Sequence, residues 1–150
     1  MKNLFDAVRK LPGFEKIDAS ATGIGSLVYA VKPGDGSARE QAASCQKVLG
    51  GWANIAREYA TKRYRSNLIN WGMLPFLFEE DELPFTLGDS VFVPGIRKAV
   101  QEKTESIPAY VIKADGSAVP FTLKLSDLTD DERAIILAGC LINFNKDQKK

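Results

Sequence analysis

Histidine is absent from the 150 residues, and cysteine occurs twice, at Cys45 and Cys140. The missing imidazole removes the commonest general base near neutral pH and the commonest metal ligand, and it excludes a Ser-His-Asp triad and a His-based zinc site. Two thiols far apart, without a C-x-x-C pair, cannot by themselves hold a structural zinc or an iron–sulfur cluster. Charge of one sign is also lacking. The net charge is +1, so no global field draws in nucleic acid or an acidic membrane. No apolar run approaches the ~20 residues that cross a bilayer. The N-terminus, "MKNLFDAVRKLPGFEK", is broken by charges and has no signal-peptide core, so a cytoplasmic location is expected.

What is present suits one soluble domain, 45% hydrophobic and 26% charged. Leu4 to Leu11 reads as a short amphipathic helix stopped by Pro12 and Gly13. "EKIDASATGIG" reads as a loop, and "SLVYAVK" as a short buried strand. "AREQAASCQKV", from Ala38, is a run of helix formers ending at Gly50-Gly51, and "WANIA" is a second buried strand. Strand, helix, strand predicts a βαβ unit with a parallel pair. "TKRYRSNLINW" predicts a helix with Gly72 as its C′ residue. "MLPFLF" follows as a strand, with Pro75 at an edge or a strand start. "DSVFVPGI" is another strand, and Asp115-Gly116 marks a hairpin within "AYVIKADGSAVPFTLKL". Thr129 and Glu132 form a capping box that opens a last helix, "LTDDERAIILAGCLINF", with "KDQKK" as a frayed tail. Both cysteines and both tryptophans, Trp52 and Trp71, are expected in the core. "EEDE", residues 79–82, reads as an acidic surface loop rather than a cation site. "REYATKRYRSN" interleaves Arg57, Lys62, Arg63 and Arg65 with Tyr59 and Tyr64. An RNA-binding reading competes there with a solvated helix face, and the near-neutral charge favours the helix face.

Function turns on "GDGSARE", Gly34 to Glu40. Ser37 and Glu40 have capping-box spacing, which would make the stretch an ordinary helix start. The same strand–Gly-rich turn–helix order aims free N–H groups and the positive helix end at one spot. Arg39 adds a fork for a carboxylate or phosphate, and Gly36 admits a ligand close to the backbone. The dinucleotide pattern fails because Arg39 stands at the third glycine position, and the P-loop pattern fails for want of G-K-[ST]. A small carboxylic acid therefore competes well with a phosphate.

"GDGSAREQAA" resembles the Gly-x-Gly-Ser-Ser-Arg-Glu-x-Ala stretch in the swivel domain of the aconitase family, which includes the small subunits of isopropylmalate isomerases. "LGGWANIA", "RSNLINWGMLPFLF" and "ERAIILAGCLINF" are similar to further family motifs in the same order. The likeness covers roughly residues 26 to 145; residues 1–25 match poorly and show no upstream Thr-Asp-His-type motif. Ala38 replaces the family's second serine, and "YATKRYRSNL" replaces its Ser-Phe and Arg-Ile-His stretch. The resemblance implies an α/β fold, a swivelling β/β/α domain with a mixed sheet and flanking helices, spanning 1–150 as a single domain. It implies a hydro-lyase acting on a hydroxy polycarboxylic acid, with Ser37 as catalytic base in its alkoxide form. Gly36, Ser37, Ala38 and Arg39 would bind substrate, Arg39 through a carboxylate. A 4Fe–4S cluster would sit on partner domains or a large subunit, with no metal in this chain and no activity from it alone. The alternatives are an isopropylmalate isomerase-type small subunit and a non-catalytic carboxylate-binding relic.

Overall fold

The computed structural model describes residues 2–148. Six strands form one mixed sheet: β1 (Ser26–Ala30), β2 (Gly51–Ala56), β3 (Leu74–Leu77), β4 (Ser90–Phe92), β5 (Ser106–Ile112) and β6 (Ala118–Lys124). The helices are α1 (Lys2–Arg9), α2 (Arg39–Val48), α3 (Lys62–Asn70), α4 (Ile96–Gln101), α5 (Asp130–Ala138) and α6 (Leu141–Asp147). Strand order is β1-β2-β3-β6-β5-β4. The first three strands are parallel, with Val28 opposite Asn54 and Asn54 opposite Pro75. The last three are antiparallel and join at Leu77 opposite Lys124. This is the expected mixed α/β sheet with flanking helices, and its parallel half is the βαβ unit.

The main core gathers on one sheet face around Ile55, Phe76, Ile107, Val111 and Leu123, with α4 and α5 packed against it. Alternation along β2 puts Ala53 and Ile55 on that face and Asn54 on the other. There Asn54 lies beneath α2 and α3, beside a second cluster of Ala43, Tyr64, Leu68 and Met73. Helix α1 covers a third cluster with Ile112. The hairpin turns where expected: Gly116 N–H donates to the Lys113 carbonyl, and Gly116 takes φ +82°. The Thr129–Glu132 capping box also forms.

Several expectations are corrected. β1 is not buried. It is the outer strand of the sheet, where Val28 has one strand neighbour and keeps about a third of its surface in solvent. Pro75 is not on an edge; β3 is third in the sheet, but Pro75 lies near its start, outside the stretch that β6 pairs with. "LTDDERAIILAGCLINF" is two helices, because Gly139 adopts φ +89° and caps α5. Cys140 is then the N-cap of α6 and only half-buried. Cys45 is exposed, because α2 turns Ala43 rather than Cys45 inward. Trp52 is half exposed: its ring lies over Gly23 and Gly25, with Lys47 across the ring at 5.4 Å. Trp71 only partly enters the second cluster. Lys146 and Asp147 of the expected tail are helical, whereas Lys149 and Lys150 lie outside the described residues. Residues 79–82 are an exposed loop, as expected, with Asp81 paired to Arg57 and Glu79 to Lys124. No helix among the described residues is long and apolar enough to cross a membrane.

Candidate functional site

The carboxyl ends of β1 and β2 place two loops side by side, and hydrogen bonds bind one to the other. Glu58 N–H donates to the Val31 carbonyl at 3.1 Å, and Ala60 N–H to the Pro33 carbonyl at 2.9 Å. Lys32 and Glu58 pair at 2.8 Å. The Thr61 hydroxyl donates to the Gly34 carbonyl at 3.1 Å while accepting the Tyr64 N–H that caps α3. The incoming arm is therefore tied down residue by residue as far as Gly34.

Gly34 is required by its surroundings. Its φ is +94°, and a Cβ there would overlap the Tyr64 side chain. Tyr64 is itself fixed from below, its hydroxyl oxygen accepting from Gln46 and from buried Asn54, each at 3.1 Å. Gly36 differs. Its φ is not positive, and a Cβ would meet nothing within 4 Å. No contact among the described residues explains a glycine at position 36.

Beyond Gly34 the loop opens. Gly36, Ser37 and Ala38 are exposed. The expected Ser37–Glu40 capping box does not form. Ala38 is the N-cap of α2, without a side-chain cap, and the first intrahelical bond runs from Ala42 N–H to the Ala38 carbonyl. Glu40 is diverted to α3. Trp71 Nε1 donates to Glu40 Oε1 at 2.7 Å. The Asn67 amide, turned so that its nitrogen faces the carboxylate, donates to Glu40 Oε2 at 3.3 Å and accepts the Glu40 N–H at 3.1 Å. Ser37 keeps no hydrogen-bond partner among the described residues.

Arg39 is half-buried and donates Nε–H to the Gly34 carbonyl at 3.0 Å. It pairs with no carboxylate among the described residues. A carbonyl thus holds the guanidinium from behind without cancelling its charge, and both Nη groups stay available. One spot of surface therefore combines unbonded backbone N–H groups, the positive end of a ten-residue helix, a free hydroxyl and an uncompensated arginine. That arrangement suits a small anion with planar oxygen pairs.

All four singled-out positions, Gly36 to Arg39, fall together here. Sequence reasoning gave no supporting role to Gly34, Thr61, Asn67 or Trp71, although Gly34 opened the quoted motif and Trp71 was expected in the core. Gly34 had a signal, as the first glycine of the motif. The tryptophan and asparagine had none, because their partner lies on another helix. Part of the basic stretch after β2 is spent on structure, while Lys62 and Arg63 are exposed. Tyr64 is buried, Tyr59 donates its hydroxyl to the Phe76 carbonyl at 3.0 Å, and Arg65 bonds the carbonyls of Ser126 and Asp127. Burial drives the Tyr59 phenol far above its ordinary range, so it acts only as a neutral donor. No group of three or more His, Cys, Asp or Glu side chains among the described residues is placed to hold a metal.

Known proteins bear on this geometry. The family model described as the aconitase C-terminal domain matches residues 20–81, which contain β1, the loop, α2, β2, α3 and β3. Aconitate hydratase A of Rickettsia bellii (strain RML369-C) is 29% identical over 133 residues. That match takes in 85% of this chain but spans only 15% of the relative's length. A family motif at the mouth of a βαβ unit, a partial family-model match, a relative that aligns through most of the chain and a mixed sheet with flanking helices agree with one another, and they liken this chain to the C-terminal, swivelling domain of the aconitase family.

Proposed function

We propose that the chain is the swivel domain of an aconitase-like hydro-lyase and holds a hydroxy polycarboxylic acid at the loop Gly36–Arg39. The observation that carries this reading is Arg39, anchored through Nε to the Gly34 carbonyl with its charge unopposed, beside a Ser37 hydroxyl that no described residue engages. Arg39 grips a substrate carboxylate in two-pronged fashion. The N–H groups of Gly36 to Ala38 line the same spot. Ser37 takes the proton next to that carboxylate. A serine hydroxyl serves as a base only where dipoles and a cation stabilise its alkoxide away from water, and the α2 N-terminus and Arg39 supply both. Water is excluded when a partner surface covers the loop, which is open here.

The 4Fe–4S cluster that the aconitase resemblance implies finds no group of three or more His, Cys, Asp or Glu side chains placed to hold it among the described residues. Cys45 lies on α2 and Cys140 is the N-cap of α6, and among the described residues no acidic or cysteine cluster joins them. The cluster belongs to partner domains or a separate large subunit, and no step above depends on it. The expected role of the domain, 1–150, is to bring base and clamp to that partner.

The test is an amide chemical-shift titration of the 150-residue chain with tricarballylate, citrate and inorganic phosphate. Saturable shifts at Gly36 to Glu40 are expected with the tricarboxylates, weakened at least about tenfold in Arg39→Ala. Equal binding by Arg39→Ala, or a preference for phosphate, overturns the reading. Turnover with a cluster-bearing partner, lost in Ser37→Ala, separates a catalytic domain from a binding relic.

A further inference from the structure

The sequence writes a capping box at the start of α2, and the structure withholds it. If the box formed, the Ser37 hydroxyl would accept the Glu40 N–H, and the Glu40 carboxylate would reach back to the Ser37 N–H. Both groups would then be lost to a ligand. A negative charge would also stand across the mouth of the loop, facing whatever Arg39 should attract.

Three contacts prevent it, all from α3 or its C-cap. Trp71 Nε1 and the Asn67 amide nitrogen take the two carboxylate oxygens of Glu40. The Asn67 amide oxygen takes the Glu40 N–H at 3.1 Å, the donor that Ser37 would otherwise claim. Trp71 is seated against the cluster of Ala43, Tyr64, Leu68 and Met73, so its indole edge is fixed. Asn67 and Trp71 are four residues apart and share one helix face.

We infer that Asn67 and Trp71 are positioning residues that hold Glu40 away from Ser37 and keep the anion loop open. They touch no substrate; they act by denying the loop its own internal cap. This inference rests on the reading of the loop as a carboxylate site for its consequence, but not for its physical content. The α2 start can satisfy itself or stay free for a ligand, and α3 decides which.

The test uses the 150-residue chain, with tricarballylate as probe and backbone amide exchange as a ligand-free readout. Trp71→Phe keeps most of the packing and loses the indole donor. It is expected to bind tricarballylate about three- to tenfold more weakly, through competition for the Ser37 N–H and the nearby charge. Its Ser37 amide should exchange more slowly than in the parent, because Glu40 now bonds it. Adding Glu40→Ala to that background removes the competitor and should restore both values. Asn67→Ala, which removes little apolar contact, should act in the same direction as Trp71→Phe. Unchanged Ser37 exchange in both single variants, or a double variant no better than Trp71→Phe in both readouts, overturns the inference. A parent chain that fails to bind tricarballylate refutes the carboxylate reading, while Ser37 exchange still decides whether α3 holds the cap open.

Discussion

Two glycines two residues apart should fail in different ways when each is replaced by alanine. At Gly34 the backbone sits at φ +94°, where an alanine pays about 1 kcal/mol or more for the left-handed conformation. Its Cβ would also overlap the Tyr64 side chain, which has little room to move. Tyr64 is buried, and its hydroxyl is held by Gln46 and Asn54. Overpacking of this kind costs about 1–3 kcal/mol. Gly34→Ala should therefore destabilise the chain by about 2–4 kcal/mol. With a slope of about 2–4 °C per kcal/mol for a domain of this size, the melting temperature should fall by roughly 5–15 °C. Gly36→Ala meets neither cost: φ is not in the left-handed region and a Cβ finds open space. Its stability should stay within about 0.5 kcal/mol of the parent. If the open space is where a carboxylate approaches the backbone, binding should fall while stability does not. Calorimetric melts and a tricarballylate titration of both variants decide it. A Gly34→Ala chain as stable as the parent would refute the account of how the loop is held. A Gly36→Ala chain that binds as well as the parent would refute the account of why that glycine is there.

Two further outcomes follow from the same reasoning. Gly72→Ala should cost more than Gly34→Ala, about 3 kcal/mol or more, because φ is +72° and its Cβ would overlap the Gly139 carbonyl, backbone that cannot rotate aside; equilibrium urea unfolding measures it, and a loss below about 1 kcal/mol would refute the close approach of α3 to α5. The Asp89 carboxyl is held below its ordinary range by Lys113, whose Nζ lies 2.6 Å away, and by the Thr86 N–H. A depressed folded pKa gives stability that is present above the unfolded value near 4 and is lost as pH falls through the folded value. Asp89→Asn should thus be less stable at neutral pH and show a flatter decline as pH falls below the unfolded value of about 4; an unchanged acid limb would show that the pair contributes nothing.

The sequence alone determined whatever rests on neighbours along the chain. The parallel βαβ unit, the Asp115-Gly116 hairpin, the Gly72 stop and the Thr129–Glu132 cap were legible because each depends on spacing within a few residues. The anion loop was legible as a possibility, through its glycines and Arg39. Tertiary structure decided which possibility was realised. Ser37 and Glu40 carry the same box spacing as Thr129 and Glu132, yet only the second pair closes, because α3 offers Glu40 better partners in Trp71 and Asn67. Arg39 is aimed by the Gly34 carbonyl, and that carbonyl is fixed by Thr61, 27 positions later. The misplaced burials have the same origin. β1 is apolar enough for a core strand, but its exposure depends on where it falls in the sheet order. Cys45 is exposed because α2 turns Ala43 inward instead, and Trp52 keeps half its surface in solvent at the start of β2 although it shares a strand face with buried Asn54. Local pattern fixes what each segment can become; only contacts between distant segments choose among equal local options.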